Sequence, residues 1–309
     1  MAQEPTDELI AGGLRPQRSF RQNLAYRPLW FARNFPLGTF GAAFVILLLA
    51  MSIVPQAFTT LDPTTQVLAD RLDGPSRAHW FGTDQLGRDL YTRIIYAART
   101  SIMIGFGITV LGNGITTILG IASAYFGGWL DLLFQRLIDV VIALPGLLFI
   151  IIFVTSLRSR VGGDIPAIVL SIGLLIAFGG GQRTIRGQTL STKENQFIEA
   201  AHSVGAGHVR IMTRHLLPNV FAIVLVSMSL TVGGAVLVES SLSFLGYGVQ
   251  PPTPSWGRML SDARNYLVVG PHAAIFPGLL IFLTVYSFNM FGDALRDMLD
   301  PRLRGSTRA

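Results

Sequence analysis

The chain has no cysteine, a single lysine and little charge of either sign. The first absence excludes disulfides and thiolate zinc sites. The second removes a whole class of chemistry: the lysine, Lys193, sits in Ser191-Thr192-Lys193-Glu194-Asn195, so no G-x-x-x-x-G-K-[ST] phosphate loop exists and the chain has no means of hydrolysing ATP unaided. The third argues against a soluble protein. Charged residues fill 14% of the 309 positions and hydrophobic ones 50%, where a soluble domain is about a quarter charged; mean hydropathy is +0.50. Histidine is sparse too, and His79, His202, His208, His215 and His272 all fall in loops or at the ends of apolar runs. An intramembrane serine protease would need one at depth beside a serine. The net charge of +6 is spread through loops between apolar runs, which is membrane-side asymmetry and not a nucleic-acid surface.

What is present is a succession of apolar runs long enough to cross about 30 Å of hydrocarbon at about 1.5 Å per residue. They are Leu37 to Phe58, Ser101 to Phe126, Leu132 to Leu157, Ile165 to Gly181, Asn219 to Val238 and Ala273 to Phe291. The fold class expected is therefore all-α, a polytopic membrane protein with six transmembrane helices embedded in the lipid bilayer. Before the first run, Tyr26, Trp30, Phe31 and Phe35 interleave with Arg27 and Arg33, which suits a segment at headgroup level and no cleavable signal. Gly105, Gly107, Gly112, Gly114 and Gly120 predict that the second run packs closely among other helices. Asp139 in the third run is either a functional acid or, with Arg136 beside it, a structural one near the interface, and the second reading is preferred.

Between the fourth and fifth runs lies the polar stretch Glu199 to Pro218, E-A-A-H-S-V-G-A-G-H-V-R-I-M-T-R-H-L-L-P. Ser191 followed by Glu194 fits a capping box and predicts a helix from about Thr192 to Ser203. Gly205 and Gly207 interrupt it, with glycine free to take positive φ at the bend. A second short helix from His208 carries Val209, Met212 and Leu216 on one face and Arg210 and Arg214 on another. Pro218 then suits the first turn of a new helix. As a bare pattern this is an amphipathic connector at the membrane surface.

The order Glu199-Ala200-Ala201, Gly205, Ile211, Leu217-Pro218 resembles the EAA loop of ABC importer permeases. Further motifs point the same way: Gly82-Thr83-Asp84-Gln85-Leu86-Gly87-Arg88-Asp89, the run Glu239 to Gly257, and Asp293 to Arg304 are similar to hallmarks of the dipeptide, oligopeptide and nickel branch. The resemblance implies an ABC importer type I permease fold, with 1–78 as N-terminal segment, first helix and start of an external loop, and 79–309 as a core permease domain whose coupling loop covers about 183–218. It implies that Glu199, Ala200, Ala201, Gly205, Val209, Arg210, Ile211, Met212, Arg214, Leu217 and Pro218 dock a separate ATPase. It also implies the partners: a second homologous permease subunit forming a heterodimer, two ABC ATPase subunits that use ATP and magnesium, and an external substrate-binding protein. No cofactor is expected on this chain itself.

Residue by residue, the same motifs have plainer readings. Asp84 with Arg88, and Asp89 with Arg93, are spaced as helix i,i+4 pairs, enough for a structural helix start. Three prolines, Pro251, Pro252 and Pro254, with Gly246, Gly248 and Gly257 predict a shaped loop. Fifteen basic residues fall on the side of the N-terminus and nine on the other, which places both termini and the E-A-A segment in the cytoplasm of a bacterial or archaeal inner-membrane protein. The rival to an ABC subunit is a self-contained secondary transporter driven by an ion gradient. That would call for repeats, broken helices and midplane acids. Peptides, nickel chelates, opines and oligosaccharides all fit as cargo.

Overall fold

A computed structural model describes residues 31–299. Helix α1 (Pro36–Ile53) opens with proline at its first position and stops short of the expected Phe58, because Pro55 forces Val54 out of the helical region, at φ −127° and ψ 66°. Helix α2 (Leu90–Phe126) begins well before the apolar run: Asp89 caps it, its carboxylate accepting from the Thr92 amide at 2.8 Å. At 37 residues it is roughly 55 Å long, well beyond the hydrocarbon layer. The close packing expected of its glycines is found at Gly105, Gly107, Gly112 and Gly120 but not at Gly114, which is exposed with nothing within 4 Å of an added methyl. A methyl on Gly105 would meet Val236 at 2.8 Å, one on Gly112 would meet Ile176 at 2.9 Å, and one on Gly120 would meet Ile185 at 3.0 Å.

The third and fourth runs are not straight spans. Helices α3 (Gly128–Ala143) and α4 (Gly146–Leu157) meet at 94° and α5 (Asp164–Phe178) and α6 (Gln182–Lys193) at 47°. The first bend falls at Pro145 and the second at Gly179–Gly181, where Gly180 has φ +94°. Helix α7 (Gln196–Ser203) follows, then the single turn α8 (His208–Ile211). A π turn over Met212–Leu216 joins α8 without a break to α9 (Leu217–Phe244). The short α10 (Trp256–Ala263) and the long α11 (His272–Leu299) complete the described residues. Among the described residues four helices are long and apolar enough to cross a membrane alone, and up to six spans result when each bent pair counts as one.

Several expectations change at the ends of elements. The residues Glu239 to Phe244, read as loop, are the last turns of α9. That helix stops at Gly246, φ +90°, where the Tyr247 amide reaches back to the Leu242 carbonyl. Arg93 and Arg99, counted as loop cations, lie inside α2.

The core falls into three layers. One gathers α1, the start of α2, α10 and α11 around Trp256, and a middle one joins α2, α4, α5 and α9 around Ile108 and Ile168. The last joins the end of α2 to α6, α7, α8 and α9 around Ile185, Ile198 and Ile211. At the Trp256 end the polar loop 59–89 is pinned by a buried ion network. Asp84 Oδ2 lies 2.7 Å from Arg88 Nε and 3.4 Å from Arg93 Nε, and Asp262 holds Arg258 at 2.9 Å and Arg88 at 4.0 Å. Asp84 and Arg88 do pair, but in a turn and not in a helix. Asp89 bonds His79 Nδ1 at 2.9 Å and leaves Arg93 to Asp84.

Candidate functional site

At the opposite end of the bundle α6, α7 and α8 form a hairpin-like cap. The expected capping box is not used: α6 runs on through Ser191 to Lys193, and α7 starts after Asn195, which takes an extended conformation. The Asn195 side chain donates to the Thr192 carbonyl at 3.0 Å, satisfying an orphan acceptor of α6 instead. The bend after α7 is as the glycines predict. Gly205 has φ +77°, its amide donates to the His202 carbonyl at 2.9 Å, and Ala206 donates to Ala201 at 3.0 Å. These are the two bonds of a Schellman motif with glycine at the left-handed position. Gly207 keeps ordinary φ, −67°, and precedes α8.

The face assignment of the second helix needs correction. Leu216 is buried, but Val209 is 69% exposed and Met212 only half-buried. The inward stripe is instead Ile211, Leu216, Val220 and Val224. Its first step is five residues, the period of the π turn, so a reading on steps of three and four chooses the wrong neighbours of Leu216. The same turn explains why Pro218 opens no new helix: it continues one already formed from His208.

The hairpin therefore has two sides. Ala201 and Ile211 point inward with Ile198 and Leu216 against the end of α2. Glu199, Ala200, Gly205, Arg210, Arg214 and Pro218 face out, Leu217 is half-buried, and the outer side also carries Phe197, Val204 and Val209. Val204 is 84% exposed. These exposed apolar side chains share the hairpin with the exposed charges of Glu199, Arg210 and Arg214.

Sequence reasoning passed over the side chains that seat the hairpin. Lys193 Nζ donates to the Tyr125 carbonyl at 2.8 Å, a cation on the C-terminus of α2. Tyr125 Oη lies 2.7 Å from His208 Nδ1, and its ring stacks on His202 at 6.1 Å between centroids. Asp131 at the start of α3 takes Arg186 Nε of α6 at 2.8 Å and the Ser123 hydroxyl of α2. The rarity of lysine was the one available signal, since apart from Ser123 with Asp131 these pairs join segments distant in sequence. Asp139 is held by Arg136 and Arg183, so it ties α3 to α6.

Residues 116–305 match the model of a family described as binding-protein-dependent transport system inner membrane component. Among curated proteins, the chain is 43% identical over 265 residues to the glutathione transport system permease protein GsiD of Escherichia coli O6:K15:H31, covering 85% of this chain and 86% of that one. It is 42% identical over 262 residues to GsiD of Pectobacterium atrosepticum, covering 84% and 85%.

Proposed function

The chain belongs to the family of binding-protein-dependent transport system inner membrane components, and from that premise we propose that its α6–α8 hairpin is the surface through which an ATPase drives the membrane helices. The protein is a permease subunit of an ABC importer, a transport component with no catalytic task of its own. Such a permease works with an ATPase and a substrate-binding protein. The observation that carries the proposal is the exposed apolar trio Phe197, Val204 and Val209, set among Glu199, Arg210 and Arg214 on an otherwise polar hairpin. A partner that buries this trio gains about 25 cal/mol for each Å² of apolar surface removed from water.

In this reading Glu199, Ala200, Val209, Arg210 and Arg214 meet the ATPase, while Ala201, Ile211, Met212 and Leu217-Pro218 join the docking side to α9. ATP and magnesium act in two such ATPases, outside this chain. This permease supplies half of the pathway and a second, homologous permease the other half. Because the relatives are named for glutathione, a short peptide of that size heads the list of cargoes, ahead of nickel chelates, opines and oligosaccharides.

Orientation is testable in a chain without cysteine. Both termini and the hairpin are assigned to the cytoplasm, on the strength of the basic-residue bias. Single cysteines at Ser203 and Ser306 are expected to be protected from an impermeant thiol reagent in intact cells, and those at Thr65 and Thr253 to react. Labelling at Ser203 from outside would reverse the topology and remove the docking assignment with it.

Reconstitution tests the division of labour. In liposomes the purified chain is expected to show neither ATP hydrolysis nor uptake driven by a proton or sodium gradient. Adding the ATPases, the second permease and a glutathione-loaded binding protein should create ATP-dependent uptake. Gradient-driven uptake by the chain alone would mean a secondary transporter.

A further inference from the structure

Tyr125 is the penultimate residue of α2, nearly buried, and it touches every helix of the hairpin. Its carbonyl accepts from Lys193 at the end of α6, its ring lies flat on His202 of α7, and its hydroxyl bonds His208 at the start of α8. Besides the Asp131–Arg186 and Asp139–Arg183 pairs and the chain entering α6 at the Gly179–Gly181 bend, the hairpin is joined to the spans by the covalent route from α8 into α9. That route passes through the π turn at Met212–Leu216, a local departure from regular helix geometry where bending concentrates.

The route through Tyr125 has no such joint. Helix α2 is unbroken for 37 residues, and its glycines let α9, α5 and α6 lie against its backbone at Gly105, Gly112 and Gly120. At the far end Asp89 caps the helix and holds His79 of the polar loop. A displacement delivered at Tyr125 therefore reaches two helices outside the hairpin, α9 and α5, and the opposite loops by way of one stiff element. We propose that Tyr125 is a positioning residue for transport, and that its bond to His208 carries the motion of the hairpin into α2. The proposal rests on the docking role of the hairpin.

Phenylalanine at this position keeps the ring, the stack on His202 and the carbonyl, and removes only the hydroxyl. In the complete complex in proteoliposomes, Tyr125→Phe is expected to retain bound ATPase and ATP hydrolysis within about twofold while uptake per ATP falls roughly fivefold, the scale of one lost hydrogen bond. His208→Ala should fall at least as far, since it also removes the ring contacts with Tyr125 and Phe126. His208→Asn, which offers an amide where Nδ1 stands, should stay near wild type. The double variant Tyr125→Phe with His208→Ala should be no worse than His208→Ala alone, since the alanine already leaves the hydroxyl without its partner.

A merely structural tyrosine would lower protein yield and hydrolysis together and leave their ratio to uptake alone. An unchanged ratio in Tyr125→Phe, or losses that add in the double variant, would overturn the relay. Val209→Asp on the outer side separates this from the docking reading: it should release the ATPases, and if they stay bound it is the docking role that fails.

Discussion

Replacing Gly205 with valine should leave the permease inserted and paired yet reduce uptake roughly tenfold or more, the factor that about 1.4 kcal/mol represents. The residue sits at φ +77°, and a Cβ built on it meets nothing within 4 Å. Space is therefore not the obstacle. Backbone strain is, since an L residue held in the left-handed region costs about 1 to 2 kcal/mol, and a β-branched one finds fewer rotamers there. So small a penalty cannot unfold six packed spans. It can be relieved by letting the two Schellman bonds go, which re-aims α8 relative to α7 and scatters Val204 and Val209. Alanine should be milder than valine. Uptake and co-purification of the ATPases, at matched permease levels, check this; full uptake with valine would mean that the bend transmits nothing.

The second large effect lies at the other end of the molecule. Asp84 is 4% exposed and serves four donors: Oδ1 accepts from the amides of Leu86 and Arg88, and Oδ2 pairs with Arg88 and Arg93, themselves 7% and 2% exposed. Asp84→Ala would leave two guanidinium groups in the interior with Asp262 as the nearest remaining acid for Arg88. Stripping one partner from a buried pair costs about 3–5 kcal/mol, a large share of the stability of an ordinary domain. The expected result is little monodisperse permease after extraction and a clearly lowered unfolding midpoint. Asp84→Asn, which keeps the acceptor for the two amides but not the charge, should fall between. An unchanged midpoint in Asp84→Ala would show that the arginines find other company and that the network is incidental.

These two sites mark the boundary of what a sequence makes legible. The apolar runs located the four helices able to cross alone and both bent pairs, because hydropathy over twenty residues is a sum that local detail cannot hide, but gave no warning of the 94° and 47° bends. Boundaries moved wherever a single side chain intervened: Asp89 started α2 early and Pro55 ended α1 early. Gly205 was legible in full, since only glycine takes that conformation cheaply. The inward stripe of α8 and α9 was not, because one extra residue in the π turn shifts its phase. The pairing of Asp84 with Arg88 was legible from spacing, though it forms in a turn, whereas the partners of Tyr125 come from across the fold, beyond the reach of any spacing rule.

Lys193 carries the sole side-chain amine of the chain, and that amine is occupied on the carbonyls of Ala124 and Tyr125. Amine-directed chemistry thus addresses a single lysine in the whole polypeptide, at the seam between α2 and α6. Its acylation, read at the Lys193 peptide to set it apart from the α-amino group, is expected to be slow while the nitrogen stays seated and faster if α6 lifts away. No foreign dye or engineered residue is needed to watch that joint open and close.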